Sequence, residues 1–433
     1  MDKNRRAAFH ALFDVESRKS FSNIALNHNI KRIRPDSPAF VRELVYGVLE
    51  NKIYLDYIIK SFLKEPIENI KTNALIVLRM GIYQIKFMDS VPDYAAVNES
   101  VKLAKRYCRG RENFVNGVLR NFIRSGKEIE LPDRAKNEID YLSIKYSYEP
   151  WIIGLWMEEF DSVDFVEELL AAGNETPDLV IRVNSLKTSR DDLKERIAAK
   201  GYESTEGLIS QYALHLKGTD ILDGKLYANG MFSVQDESSI FVVDILDPQP
   251  GELIMDVCAA PGGKSLAIAE RMNNKGQVFA RDIYRRKLSI IDKEAERLGI
   301  NIIQTRTWDA TRVDSSMVEK ADCVLVDAPC SGLGVVRRKP EIKYKKLAAD
   351  IEELPRKQLS ILSASSKYVK PGGVLLYSTC TISRDENQRV INDFLRRNPT
   401  FTKEEERQLL PNIDKTDGFY ICKMRKAEMF NND

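Results

Sequence analysis

From about Ser238 onward the chain alternates short apolar runs with segments of helical spacing, and this alternation narrows the fold more than any other feature. The runs Leu253–Cys258, Gln277–Asp282, Ile302–Thr307, Cys323–Asp327 and Gly373–Ser378 predict strands, and Ser265–Arg271 and Tyr284–Leu298 fit helices between them. Repeated β-α units with apolar strands imply a largely parallel, doubly wound, Rossmann-like α/β sheet. Such sheets bind ligands beyond the carboxyl ends of their strands. Cys258, Asp282, Asp309, Asp327, Cys330 and Cys380 all fall at or just past those ends. Asp417-Gly418-Phe419-Tyr420 reads as a turn into a last antiparallel strand.

The front of the chain has a different period. Apolar residues recur at helical spacing in Phe40–Leu49 and Leu55–Leu63, and further helices are predicted over Thr72–Met88, Ala95–Tyr107 and Glu112–Arg124. Pro35, Pro38, Pro66 and Pro92 punctuate them, so residues 1–125 predict an all-α bundle. Ser125–Arg134, with Gly126 and Pro132, reads as a linker. Beyond it, a helix at Pro150–Phe160, a strand at Leu179–Asn184, a helix at Asp191–Lys200 and a strand at Ala213–Leu216 make a small α+β module. A multidomain chain follows, with boundaries at residues 1–130, 135–235 and 236–433, and 433 residues suffice for three domains.

No apolar run approaches the roughly 18 to 20 residues of a membrane span. Met1–Arg6 is not followed by the apolar core of a signal peptide, so a cytoplasmic protein is expected, with no membrane partner. The six cysteines form no Cys-x-x-Cys pair and read as free thiols. His10, His28 and His215 are remote in sequence from the cysteine motifs, which argues against a zinc site or a Cys-His dyad and leaves no metal expected. Net charge is only +2, but residues 1–130 hold 23 Lys and Arg against 15 Asp and Glu. An anionic partner engaged at the front fits this asymmetry. The densest basic stretch supplies Lys102, Lys105, Arg106, Arg109 and Arg111, and a second patch, Arg337-Arg338-Lys339, follows Cys330. Phosphate contacts from either give salt-sensitive, sequence-blind affinity for RNA; the plainer alternative is a solvated face.

The first β-α turn is Asp256-Val257-Cys258-Ala259-Ala260-Pro261-Gly262-Gly263-Lys264-Ser265. Its glycines let the backbone pass close to a ligand and open a helix. The Gly-x-Gly-x-x-Gly dinucleotide fingerprint and the full P-loop pattern are both absent, which disfavours NAD-dependent oxidation and ATP hydrolysis. Asp282 ends the second strand, where a carboxylate commonly accepts ribose hydroxyls, and Asp309 follows the third, within reach of an adenine amino group. Each alone reads as readily as a cap or turn residue; the two in register favour a ligand. A cradle with a ribose carboxylate but no pyrophosphate nest suits S-adenosylmethionine.

Two thiols complete the pattern: Cys330 in Asp327-Ala328-Pro329-Cys330-Ser331-Gly332 and Cys380 in Tyr377-Ser378-Thr379-Cys380-Thr381. A thiolate that adds to an electron-poor ring makes the neighbouring carbon nucleophilic. A free thiol titrates near 8.5, so the attacking cysteine needs help from positive charge, for which Lys264 and Arg337-Arg338-Lys339 are candidates. These residues leave open which thiol attacks. Tyr344, Tyr377 or Phe419 could offer a face on which an extruded base stacks, although aromatics of this kind are more often core.

Together, Asp256–Lys264, Asp327–Gly332 and Ser378-Thr379-Cys380 resemble the RNA cytosine-5 methyltransferases of the Nop2/Sun family. Asn116-Gly117-Val118-Leu119-Arg120-Asn121 resembles the NusB-like domain fused to the bacterial Sun/Fmu branch, which acts on 16S ribosomal RNA. The resemblance spans nearly the whole chain. It implies a NusB-like bundle, an RNA-binding α+β extension and a methyltransferase domain. It implies cofactor contacts from Cys258, Ala259, Ala260, Pro261, Gly262, Gly263 and Lys264, and from Asp282, Asp309 and Asp327. It implies Cys380 as nucleophile and Cys330 in product release, whereas DNA cytosine methyltransferases attack with the Pro-Cys cysteine, the position of Cys330. Asp327 would stabilise the base. The expected partner is 16S ribosomal RNA or an assembling small subunit, bound by a monomer. The rival readings are a transfer-RNA methyltransferase of the same family and a non-catalytic NusB-like RNA-binding or antitermination factor.

Overall fold

The computed structural model describes residues 2–218, 220–346 and 348–428. They divide into two compact units, one of residues 1–175 with 336–348 and one of residues 176–335 with 349–433, whose last five positions lie outside the described residues.

The first unit is helical. Helices run over Lys3–Arg18, Ser22–Ile33, Pro38–Glu50, Lys52–Ser61, Thr72–Phe87, Asp93–Tyr107 and Glu112–Arg124, followed by Glu138–Tyr146, Pro150–Glu159 and Val163–Ala172. Local chemistry sets several starts. Ser37 Oγ accepts from Phe40 N, with Pro38 in the first turn, and Ser162 Oγ accepts from Phe165 N. Thr72–Phe87 is apolar nearly all round and buries Ile76, Val77, Leu78, Met80, Ile82 and Ile85, which makes it the central helix of the bundle. Its one buried cation, Arg79, is held by both oxygens of Asp56, at 2.7 and 2.8 Å. The segment 336–348 joins this unit from far along the chain. Lys343 Nζ donates to Glu50 O and Asn174 Oδ1, both at 2.9 Å, and Glu341 Oε1 accepts from Ser22 N at 2.8 Å.

The second unit holds two sheets. The smaller has strands β1 (Leu179–Val183), β2 (Ser204–Glu206), β3 (Ala213–Leu216) and β4 (Phe232–Val234) in the order β2-β3-β1-β4, all antiparallel. The larger has β5 (Leu253–Asp256), β6 (Gln277–Asp282), β7 (Ile303–Thr307), β8 (Ala321–Asp327), β9 (Val369–Thr379), β10 (Phe401–Leu409) and β11 (Phe419–Lys426). Their order is β10-β11-β9-β8-β5-β6-β7. The five strands from β9 to β7 are parallel, and β11 and β10 add an antiparallel edge. Apolar residues on both faces, among them Ile254, Met255, Val324, Leu325, Leu375 and Leu376, are fully buried, as a sheet covered on both sides requires. The strand order reverses between β5 and β8. This is the switch point where such sheets open a crevice for ligands.

A buried ion pair ties the small sheet to helix Gly263–Arg271, which follows β5 of the large one. Arg182 on β1 donates from Nε and Nη2 to both oxygens of Glu270, each at 2.8 Å, and from Nη1 to Gly263 O at 2.7 Å. Both side chains are almost wholly buried. A guanidinium matches a carboxylate two-to-two, and its third nitrogen reaches the first residue of helix Gly263–Arg271.

Candidate active site

The site lies along the carboxyl ends of β5, β6, β8 and β9. Asp256, Asp282 and Asp327 are the last residues of β5, β6 and β8, and Cys380 follows the last residue of β9. Asp256 is buried and its Oδ2 accepts from Ser265 Oγ at 2.6 Å, while Oδ1 has no hydrogen-bond partner. Burial pushes its carboxyl up to about 7, with the charge of Asp327 adding to the shift. The backbone then turns through Gly262, at φ +111, where an added Cβ would lie 2.7 Å from Ile291 Cγ1. Helix Gly263–Arg271 begins there and aims its first N–H groups at the loop. An orphaned carboxylate oxygen beside a glycine turn and a helix N-terminus fits a ligand with an amino group and a carboxylate. That is the chemistry of the methionine end of S-adenosylmethionine.

Asp282 accepts from Ala260 N at 3.3 Å through Oδ2 and from Tyr284 N at 2.9 Å through Oδ1, so it braces the cradle loop and keeps lone pairs to spare. Asp309 is exposed. Its Oδ1 accepts from Thr311 N at 3.0 Å and Thr311 Oγ1 at 2.7 Å, and these bonds hold its carboxyl below the usual range. It therefore caps its own turn. Cys258 is packed in the cradle, and burial, followed by the charge of Asp256, pushes its thiol up.

Lys264 reaches across from the helix, and its Nζ donates to Asp327 Oδ2 at 2.7 Å and lies 4.9 Å from the Phe419 ring centre. Asp327 Oδ1 accepts from Ser378 Oγ at 2.9 Å. The expected helper of a thiolate is thus engaged with the carboxylate. Beside it the two thiols meet, with Cys330 Sγ 3.3 Å from Cys380 Sγ. The hydrogen bond with Cys380, burial, and the charges of Glu386 and Asp327 push the Cys330 thiol well above the ordinary cysteine range. The two sulfurs are within hydrogen-bond distance, and either can be the donor. Cys323 and Cys422 are buried, their thiols raised to about 12, and Cys108 is half-buried, its thiol raised to about 11; burial is the first cause for each.

Several residues around the thiols carry no motif in the sequence. Glu386 is fully buried, and its carboxylate accepts from Ser331 N, Ser331 Oγ and Gln358 Nε2. Asn387 Nδ2 donates to Thr381 O at 3.1 Å, and Thr379 Oγ1 donates to Asn387 Oδ1 at 2.5 Å. Gly334 N donates to Cys380 O at 3.0 Å, and Ala328 N to Ser378 O at 2.9 Å. Polar residues in a loop give no periodic signal, which is why the sequence alone does not flag them.

The expected stacking faces are not presented. Tyr377 is fully buried and donates to Glu386 O at 2.7 Å, because it lies on a central strand. Phe419 is buried beneath Lys264. Tyr344 belongs to the helical unit, where its hydroxyl donates to Ser147 O at 2.9 Å.

Of the basic residues, Lys102, Lys105, Arg106, Arg109 and Arg111 are exposed in the helical unit. Lys102 pairs with Glu99 at 2.6 Å, Arg106 lies over Tyr107 and Arg111 over Phe114. Arg337, Arg338 and Lys339 also belong to that unit, with Lys339 Nζ 5.7 Å from the Phe21 ring centre. No helix among the described residues is long and apolar enough to cross a membrane.

Three family models match the chain: the NusB family over residues 2–124, the RsmF/B-like ferredoxin-like domain over 148–221, and 16S rRNA methyltransferase RsmB/F over 243–425. The chain is 38% identical to the probable ribosomal RNA small subunit methyltransferase B of Bacillus subtilis (strain 168), over 98% of each. It is 32% identical to the ribosomal RNA small subunit methyltransferase B of Vibrio cholerae, over 98% of this chain and 97% of that one. Among solved structures it resembles the crystal structure of PH0851, with a TM-score of 0.85, 25% identity and 98% of each chain covered. The fold also matches NSun6 from Pyrococcus horikoshii, determined with SFG, at a TM-score of 0.57 and 22% identity, over 61% of this chain and 95% of that one. With its helical, ferredoxin-like and α/β parts all matched, and relatives aligned over nearly its full length, the chain belongs to the RsmB/F family of 16S rRNA methyltransferases.

Proposed function

We propose that the protein methylates carbon 5 of a cytosine in 16S ribosomal RNA, with S-adenosylmethionine as methyl donor and a covalent bond from Cys380 to carbon 6 of the base. The observation that carries this reading is the pair of thiols 3.3 Å apart beside Asp327, at the mouth of a cofactor-type cradle. Ribosomal RNA methylation at a ring nitrogen or a sugar hydroxyl has no use for such a pair. Carbon 5 of cytosine does, because it is too weak a nucleophile until a thiolate has added next to it.

When bound, S-adenosylmethionine supplies an electrophilic methyl group. The loop from Cys258 to Lys264 and the carboxylates of Asp282, Asp309 and Asp327 would hold it. Cys380 is the attacking sulfur. Cys330, 3.3 Å from it, is the second thiol, placed to assist loss of the carbon 5 proton and release of Cys380. Asp327, fixed by Lys264 and Ser378, has lone pairs left to hydrogen-bond the amino edge of the cytosine and stabilise the adduct. Domains 1–130 and 135–235 bind RNA and domain 236–433 carries the chemistry, with Lys102, Lys105, Arg106, Arg109, Arg111, Arg337, Arg338 and Lys339 contacting phosphate. The enzyme acts in the cytoplasm as a monomer.

The test is transfer of labelled methyl to unmodified small-subunit ribosomal RNA, with transfer RNA alongside, followed by digestion to nucleosides. Label in 5-methylcytosine from ribosomal RNA alone is the expected result. Label at another position, or only in transfer RNA, would contradict the assignment.

A further inference from the structure

The carboxylate of Glu386 links the two cysteine loops. Its Oε2 accepts from Ser331 N and Gln358 Nε2, both at 2.9 Å, and its Oε1 from Ser331 Oγ at 2.5 Å and Thr381 Oγ1 at 3.4 Å. Gln358 Nε2 also donates to Pro329 O at 3.0 Å, and the Ser331 and Thr381 hydroxyls are 2.7 Å apart. Glu386 therefore holds Ser331 directly and Pro329 by way of Gln358, and the residue after Cys380 bonds to the same carboxylate. The site is sealed: Glu386, Gln358 and Thr381 are fully buried and Ser331 almost so.

The two loops do not depend on Glu386 equally. The Cys380 loop has other supports: Gly334 N on Cys380 O, Asn387 on both Thr379 and Thr381, and strand β9 directly before it. Between Ala328 and Gly332 the Cys330 loop has no regular strand or helix; beyond the Ala328 N bond to Ser378 O, its side-chain anchors are Glu386, Gln358 and the Thr381 hydroxyl, which Glu386 itself bonds. Removing the carboxylate would release Cys330 while leaving Cys380 in place. A buried donor left unpaired costs enough to rearrange such a loop.

We infer that Glu386 is the positioning residue that keeps Cys330 against Cys380, so that resolution of the covalent RNA adduct depends on it more than adduct formation does. This rests on the reading of Cys380 as nucleophile and Cys330 as the group that releases it. Glu386 touches neither base nor cofactor in this scheme; it acts through the Cys330 loop. A 1 Å displacement of a reacting group can lower a rate by about 100-fold.

The experiment uses the full-length protein, S-adenosylmethionine and unmodified small-subunit ribosomal RNA. It follows turnover, the RNA-bearing band that survives denaturing electrophoresis, and cofactor affinity. Glu386→Ala should lose about 10- to 100-fold in turnover, accumulate the slow band, and bind cofactor within about three-fold of wild type. Glu386→Gln, which keeps most of the acceptor geometry, should recover turnover to within about three-fold and show no band. Ser331→Ala removes only the hydroxyl links and should give a weaker band; it carries the test if Glu386→Ala fails to bind cofactor. A band in Cys330→Ala with none in the Glu386 or Ser331 variants would overturn the inference alone. No band in any variant, together with turnover by Cys380→Ala, would overturn the chemistry beneath it as well.

Discussion

Cys380 and Cys330 stand 3.3 Å apart, close enough for one sulfur to serve the proposed attack and the other the release. Replacing Cys380 by Ala should abolish methyl transfer while leaving the cofactor dissociation constant within about three-fold, because its proposed role is to bond the base and not to hold the cofactor. Titration calorimetry beside a labelled-methyl assay reads both quantities. Gly262 is a second single-residue test. At φ +111, with Ile291 2.7 Å from any added Cβ, Gly262→Ala should cost about 1–3 kcal/mol of stability and weaken cofactor binding, measured by denaturant unfolding and titration. At this scale the sequence is legible in position wherever a polar residue closes an apolar strand, as at Asp282 and Asp327, which end β6 and β8. It is silent on Glu386, since nothing in Ser383-Arg384-Asp385-Glu386-Asn387 distinguishes the acid that turns inward from its half-buried neighbour Asp385. It is misleading on Tyr377 and Phe419, where an aromatic near a site proves to be core.

At the scale of elements, the apolar strands β5, β6, β8 and β9 are readable because each is buried on both faces. Strand β10 is not. Phe401–Leu409 carries five charged residues, pairs only with β11 at the sheet edge, and has no apolar alternation to reveal it. The coupling of the small sheet to the cradle is equally hidden, since an arginine and a glutamate 88 positions apart give no local signal. Arg182→Met should destabilise the second unit by about 3–5 kcal/mol, because Glu270 would be left buried and unpaired; thermal unfolding measures this. A second coupling is sensitive to pH. His215 Nε2 pairs with Glu237 Oε2 at 2.7 Å; this bond raises the His215 pKa, while bonds from His215 and from Ile209 and Ser210 N–H hold Glu237 below the usual range despite burial. The raised histidine stabilises fully below about 6.5 and loses its contribution as pH rises through its folded value. The depressed glutamate contributes above about 4.5 and loses its share as pH falls. The Tm difference between wild type and His215→Gln should therefore be largest near about pH 5 to 6 and shrink on either side.

At the scale of the whole molecule, the all-α front, the α+β middle and the α/β rear were all readable from the change of period along the chain. What period cannot show is non-local. Residues 336–348 follow the Cys330 loop in sequence but pack into the helical unit through Lys343, Tyr344 and Glu341, and only the folded chain shows that. The proposed phosphate contacts are spread over the basic front of the chain. Charge reversal at Lys102, Lys105 and Arg109 together should weaken binding to all RNA sequences alike and flatten the dependence of log affinity on log salt by about 0.7–0.9 per lost contact, measured by filter binding across a salt series.

The central claim is that Cys380 bonds to the target cytosine, and trapping tests it directly. Small-subunit ribosomal RNA carrying 5-fluorocytidine cannot lose a proton from carbon 5, so the adduct should persist through denaturation. After digestion with trypsin and nuclease, mass spectrometry should find the nucleotide and the transferred methyl on the peptide containing Cys380. Finding them on the peptide containing Cys330, or finding no adduct while 5-methylcytosine still forms from normal RNA, would contradict it.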